Sequence, residues 1–167
     1  MSKQFVVTPA QMKTAEAMCE KKGTSCAVLM RNVGSAIARH ISRIAKPCRT
    51  AVLVGSGNNG GDGFALAHNL RKRGFTPVII MAGSAPKTDL ARECCEEYRA
   101  DYESVLSYPE EPENVLAEIA KCGVIADCVY GTGFHGELHP DIRRLFAYCN
   151  ESAALRFSAD IASGCNA

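Results

Sequence analysis

The stretch Gly55-Ser56-Gly57-Asn58-Asn59-Gly60-Gly61-Asp62-Gly63 concentrates the residue types that hold a ligand with backbone. Closely spaced glycines leave main-chain amides uncovered and permit left-handed turns, so an anion can rest against them where a helix begins. Asn58, Asn59 and Asp62 place short, oxygen-bearing side chains in the same loop. The same residues also build a tight turn in which asparagines satisfy their own backbone, so composition alone leaves both readings open. Two later segments supply further oxygens. Asp127 lies near the end of an apolar run and precedes Gly131-Thr132-Gly133, and Asp160 and Ser163 follow another such run. In an open parallel sheet, ligands sit beyond the carboxyl ends of strands, so Asn59, Asp127, Asp160 and Ser163 are expected to converge there.

Several chemistries are disfavoured. The loop contains a formal G-x-G-x-x-G, but the next apolar run ends Ile80-Met81-Ala82-Gly83-Ser84 without the acid that holds a ribose; the nearest is Asp89. No Gly-Lys-Ser/Thr follows the glycines, and Ser163 has no G-x-S-x-G elbow. Oxygen ligands without sulfur or imidazole suit a hard cation such as potassium or magnesium rather than zinc. His135 and His139 are spaced like a helical pair, but Gly136 and Pro140 argue against a helical metal site.

The elements that position these residues follow from periodicity. Thr8-Pro9 reads as an N-cap and first-turn proline opening a helix over 10–22, ended by Gly23. A second helix is predicted over 25–45, with Val28, Leu29, Val33, Ile37, Ile41 and Ile44 as its apolar stripe. Short apolar runs at 51–54, 77–81, 124–130 and 154–158 read as buried strands, with a weaker candidate at 104–106. Helices are predicted between them over 64–73, 88–98, 112–121 and 140–149. The alternation predicts an α/β fold: a Rossmann-like three-layer sandwich with a mostly parallel central sheet and helices on both faces.

Apolar residues form 47% of the chain and charged residues 22%, as in a globular domain. Lys and Arg total 19 against 18 acids, so neither nucleic acid nor an anionic membrane is an expected partner. Nine cysteines without a Cys-x-x-Cys pair read as reduced core fillers, and no run reaches transmembrane length. The opening residues lack a signal-peptide run, and a cytoplasmic location is expected.

The loop 57–63 resembles the signature of the NAD(P)H-hydrate epimerases, the YjeF N-terminal domain family. The likeness continues through residues 12–23, Leu29-Met30-Arg31-Asn32-Val33-Gly34, Asp127-Cys128-Val129-Tyr130-Gly131-Thr132-Gly133-Phe134 and Asp160-Ile161-Ala162-Ser163-Gly164. The resemblance implies interconversion of the R and S forms of NADH hydrate and NADPH hydrate. It also implies an ATP- or ADP-dependent dehydratase as functional partner, and a homodimer. Asn59, Asp127 and Ser163 would hold a potassium ion. Asn58, Asn59, Gly60, Gly61 and Asp62 would cradle substrate together with Gly131, Thr132, Gly133, Phe134, His135, Gly136 and Glu137. Asp160 would touch it beside the reacting ring. Asp160 is then the first choice of acid–base residue and Asp127 the second, since a carboxylate that ligates a cation should stay ionised.

Three departures from the family pattern stand out. Arg31 and Val33 occupy positions where the family has Glu and Ala, and Ala162 replaces its proline. Family domains continue past the last motif. Residues 1–167 are therefore expected to form one domain, with opening helices over 10–45, an α/β core over 50–167, and the C-terminal part of the family domain absent. A non-catalytic binding or scaffolding module, or an inactive fragment, is the competing reading; retention of Asn58, Asn59, Asp62, Asp127 and Asp160 favours the enzyme.

Overall fold

The computed structural model describes residues 7–102 and 105–165. Two helices open the chain, α1 (Pro9–Lys21) and α2 (Cys26–Ile44). Strands and helices then alternate as β1 (Arg49–Val54), α3 (Asn58–Arg71), β2 (Thr76–Met81), α4 (Asp89–Asp101), β3 (Val105–Ser107), α5 (Pro112–Ile119), β4 (Val124–Cys128), α6 (Pro140–Glu151) and β5 (Leu155–Ser158). Of the weak strand predicted at 104–106, Ser104 lies outside the described residues.

The strands form one parallel sheet in the order β3-β2-β1-β4-β5. Burial on both faces explains why β1 reads as a continuous apolar run rather than an alternating one. Val52, Val54, Ile79 and Ala126 pack with Phe64, Leu70 and Tyr98 beneath α2, α3 and α4. Leu53, Ile80 and Ile125 pack with Val115, Ile119 and Leu145 beneath α5 and α6. This is the three-layer sandwich the periodicity predicts. Among the described residues β5 is one edge strand of the sheet, with Leu155 47% exposed.

Local chemistry sets the helix starts. Thr8 and Gln11 form a reciprocal capping box, with Pro9 in the first turn of α1. Ser25 and Thr88 accept first-turn amides of α2 and α4. All nine cysteines are free, and Cys94, Cys95, Cys122, Cys128 and Cys149 are buried.

The predicted stripe of α2 is corrected by the structure. Met30, Gly34, Ala38 and Ile41 face the core, while Val28, Val33 and Ile44 are exposed. The reason is close approach. A methyl group on Gly34 would sit 2.6 Å from the Ala65 carbonyl carbon, so small residues at the middle of α2 let it approach α3 closely, with Met30 and Ile41 packing on either side.

Candidate active site

In the sheet, β1 lies beside β4 and β4 beside β5, so the segments leaving these three strands emerge side by side. The chain turns to β2 on one side of β1 and reaches β4 on the other, the arrangement that opens a crevice in parallel sheets. The glycine loop, the Gly131 loop and the Asp160 segment therefore share one end of the molecule.

The helix after β1 begins earlier than predicted, at Asn58 rather than Phe64. Positive φ occurs at Gly23, Gly74, Gly136 and Gly164, and at none of the glycines between 55 and 63. Left-handed turning is thus not why those glycines are there. Their role is steric. A methyl group on Gly55 would overlap the Val129 carbonyl oxygen, and one on Gly60 the carbonyl oxygen of Gly55. Gly61 lies over Met30, whose sulfur would be 2.5 Å from an added carbon, and Gly63 lies over Val54 and Cys128. Glycine lets the first turns of α3 settle onto the strand ends. No side chain caps this helix; the Gly60 and Gly61 amides bond the Gly57 carbonyl, and those of Asn58 and Asn59 are left to a ligand or to solvent.

Asn59 projects from that first turn. Its amide oxygen and nitrogen are both buried and have no hydrogen-bond partner among the described residues. The tight-turn reading requires asparagines to bond their own backbone, and Asn59 does not. An orphaned buried amide is costly unless a ligand completes it.

Asp127 and Ser163 form the second group. The Ser163 amide donates to Asp127 Oδ2 at 2.9 Å and its hydroxyl to Oδ1 at 2.6 Å. The Val129 amide donates to Oδ1 at 3.1 Å, and the Tyr130 amide to the Ser163 hydroxyl at 2.9 Å. This network fixes the exits of β4 and β5 against each other.

Asp160 forms the third. Its φ is +66°, a conformation that Asp and Asn adopt more readily than other side-chain-bearing residues. Oδ2 accepts the Thr132 amide at 2.7 Å. A carbon added to Gly131 would lie 2.5 Å from that same Oδ2 and 3.6 Å from Cγ of Asn59. Gly131 is therefore the gap across which Asn59 and Asp160 approach.

Asp62, on α3, is half-buried. Burial pushes its carboxyl up to about 7, with further repulsion from Asp160 and from Glu16 of α1. The sequence reading places Asp62 in the cradle but finds neither its retained proton nor the proximity of Glu16. Neither carries a local signal, because both arise from packing.

The remaining predicted residues are distributed along the Gly131 loop. Phe134 stacks on Tyr130 with ring centres 4.6 Å apart. Asn58, His135, Gly136 and Glu137 are exposed, and Glu137 pairs with Arg143 of α6 at 3.3 Å. His139 serves as the N-cap of α6. Among the described residues no His/Cys/Asp/Glu cluster could hold a metal, so any cation here must be taken by amide, hydroxyl and carboxylate oxygens. The orphaned Asn59 amide fits such a donor set. A cavity of about 520 Å³ opens between α2, α3 and α4, but none of Asn59, Asp127, Asp160 or Ser163 lines it.

The chain is 28% identical to the bifunctional NAD(P)H-hydrate repair enzyme Nnr of Methanothermobacter thermautotrophicus, over 97% of this chain and 32% of that protein. It is 35% identical to the Nnr of Helicobacter pylori over 82% of this chain and 28% of that protein. The NAD(P)H-hydrate epimerase of Caenorhabditis briggsae is 29% identical over 98% of this chain and 66% of that protein. The chain thus spans about a third of the length of the bifunctional relatives. The crystal structure of yeast ynu0, YNL200c, superposes with a TM-score of 0.75 at 19% identity, over 95% of this chain and 71% of that one, and shares the fold. The model of the YjeF-related protein N-terminus matches residues 26–167, and this chain belongs to that family.

Proposed function

We propose that this chain epimerises the R and S hydrates of NADH and NADPH in the cytoplasm, supplying an S-specific dehydratase. The observation that carries the reading is the placement of Asp160. A carboxylate held at positive φ by the Thr132 amide faces the orphaned amide of Asn59 across Gly131. The relatives named as hydrate epimerases and repair enzymes support it. Nine free cysteines suit a reducing compartment.

Inverting the carbinol carbon requires proton transfer at its hydroxyl, whether water leaves and returns or the ring opens and recloses. Asp160 exchanges that proton in this reading, and Asp62, which holds its own proton up to about pH 7, supplies the neighbouring one. Asp127 serves as a positioning residue, because three donors already engage its two oxygens. Asn59, Asp127 and Ser163 would hold potassium, which supplies positive charge for substrate oxygens. The cradle then comprises the first turn of α3 and the loop 131–137. Exposed Val7, Met12, Met18, Val28 and Val33 on or beside the first two helices favour a second copy of the chain as partner.

The test is incubation of the chain with isolated R-NADH hydrate, in potassium buffer and in buffer lacking it, with chromatographic detection of the S epimer. Conversion above the spontaneous rate that depends on potassium and disappears in Asp160→Asn supports the reading. A folded protein that gives no conversion overturns it.

A further inference from the structure

The cavity of about 520 Å³ between α2, α3 and α4 draws its lining from those helices and not from the strand ends. Its volume is within the range of small-molecule sites. Ala65, His68 and Lys72 recur at helical spacing along α3 and its C-cap and make a wall about 10 Å long. Tyr98 and Asp101 of α4 also line the cavity. Phe64 and Tyr98, both buried, supply its aromatic surface, with ring centres 6.1 Å apart.

One group in this lining lacks a partner. Tyr98 is 2% exposed, and its hydroxyl oxygen is buried without a hydrogen-bond partner among the described residues. Burial raises the pKa of this hydroxyl, and the Arg71 guanidinium nearby lowers it. That neighbour cannot complete the group. A guanidinium only donates, so the O–H proton has no acceptor whichever way Arg71 turns. Buried hydroxyls are normally paired. What the cavity lacks is an acceptor.

Charge narrows the choice of acceptor. The two acids of the lining are already turned to basic side chains, Glu97 to Arg31 at 2.5 Å and Asp101 to His68 at 3.7 Å. Lys72 is exposed, lines the same cavity and makes no ion pair among the described residues. The uncommitted charge is therefore positive. A carboxylate meets both demands, since it accepts from a hydroxyl and attracts an ammonium.

We propose that this cavity binds a small aromatic carboxylate. The ring of the ligand packs against Phe64 and Tyr98, where aromatic surfaces favour one another. Its carboxylate accepts the Tyr98 hydroxyl and lies within the field of Lys72. The proposal stands apart from the epimerase reading, because Asn59, Asp127, Asp160 and Ser163 are all absent from the lining.

Titration calorimetry of the whole chain with 2-naphthoate tests this, with 2-naphthylmethylamine as a control of similar shape and opposite charge. The carboxylate should bind saturably and about tenfold or more tightly than the amine, with the gap shrinking as salt is raised. Tyr98→Phe should weaken 2-naphthoate about fivefold or more. Lys72→Gln, at an exposed position, should weaken it as well and remove most of the salt dependence. The hydroxyl is unmatched in the free chain, so Tyr98→Phe should leave the urea midpoint unchanged or raise it. A lowered midpoint would show that a neighbour already completes the hydroxyl, and that result overturns the proposal. So does the absence of saturable binding by the folded wild type, equal binding of the amine, or full affinity in Tyr98→Phe.

Discussion

Ser163 meets Asp127 twice, through its amide at 2.9 Å and its hydroxyl at 2.6 Å, although 36 positions separate them in the chain. The hydroxyl is also the acceptor for the Tyr130 amide. Ser163→Ala removes one donor from the carboxylate and strands a part-buried amide. Its stability should fall by about 1–3 kcal/mol, read as a lower urea midpoint with unchanged slope. An unchanged midpoint would mean that solvent satisfies Tyr130 and that the network is not structural.

Asp160 combines a chemical and a conformational demand. Asn tolerates its positive φ and keeps an oxygen for the Thr132 amide, so Asp160→Asn should melt within about 1 kcal/mol of the wild type. Its epimer conversion should nevertheless fall about 10²–10⁴-fold. Asp160→Ala should lose stability as well, and Asp160→Gly should regain the backbone share of that loss. Comparable conversion by Asp160→Asn would remove this residue from the chemistry.

The glycines of the loop should divide sharply on substitution. Gly57 has no atom within 4 Å of an added carbon and extended backbone angles, so Gly57→Ala should change stability by less than about 1 kcal/mol. Gly60→Ala puts that carbon against the Gly55 carbonyl oxygen, and about 3 kcal/mol or more should be lost. Equal melting temperatures for the two variants would show that the loop can shift to make room.

The contrast between these glycines also marks what the sequence could tell. The strands were legible because β1, β2 and β4 are buried on both faces and need unbroken apolar runs. The start of α3 was not, since local propensity puts Gly60, Gly61 and Gly63 in a loop while the demand that outweighs it comes from Gly55, Met30, Val54 and Cys128, which pack against them in the fold. The face of α2 was misplaced for a related reason: hydrophobicity picks Val28 and Val33, whereas close packing picks Gly34 and Ala38. At the site, residues inside motifs such as Asn59 and Asp160 could be named, but nothing near Glu16 announces that folding brings it to Asp62.

Asp62 should leave a signature in the pH dependence of stability. Its carboxyl is raised from an ordinary 3.8 to about 7, so the folded chain holds a proton that the unfolded chain releases earlier. Stability associated with this group is fully present below about pH 4 and is lost as pH rises toward 7. Asp62→Asn should therefore match the wild type near pH 4 and exceed it by on the order of 2 kcal/mol at pH 8, after allowing for screening of a half-buried group. Thermal melts across that range check it. A difference that does not vary with pH would show that Asp62 titrates normally.

The floor of the candidate site is made of main chain, since a carbon added to Gly55, Gly60 or Gly131 would run into Val129, Gly55 or Asp160. Such a floor offers mutation almost nothing to vary: most single changes there break the fold before they alter recognition. Divergence among copies of this domain is thereby channelled to the rim, where side chains such as Thr132 and Phe134 can be exchanged while the backbone cradle stays as it is.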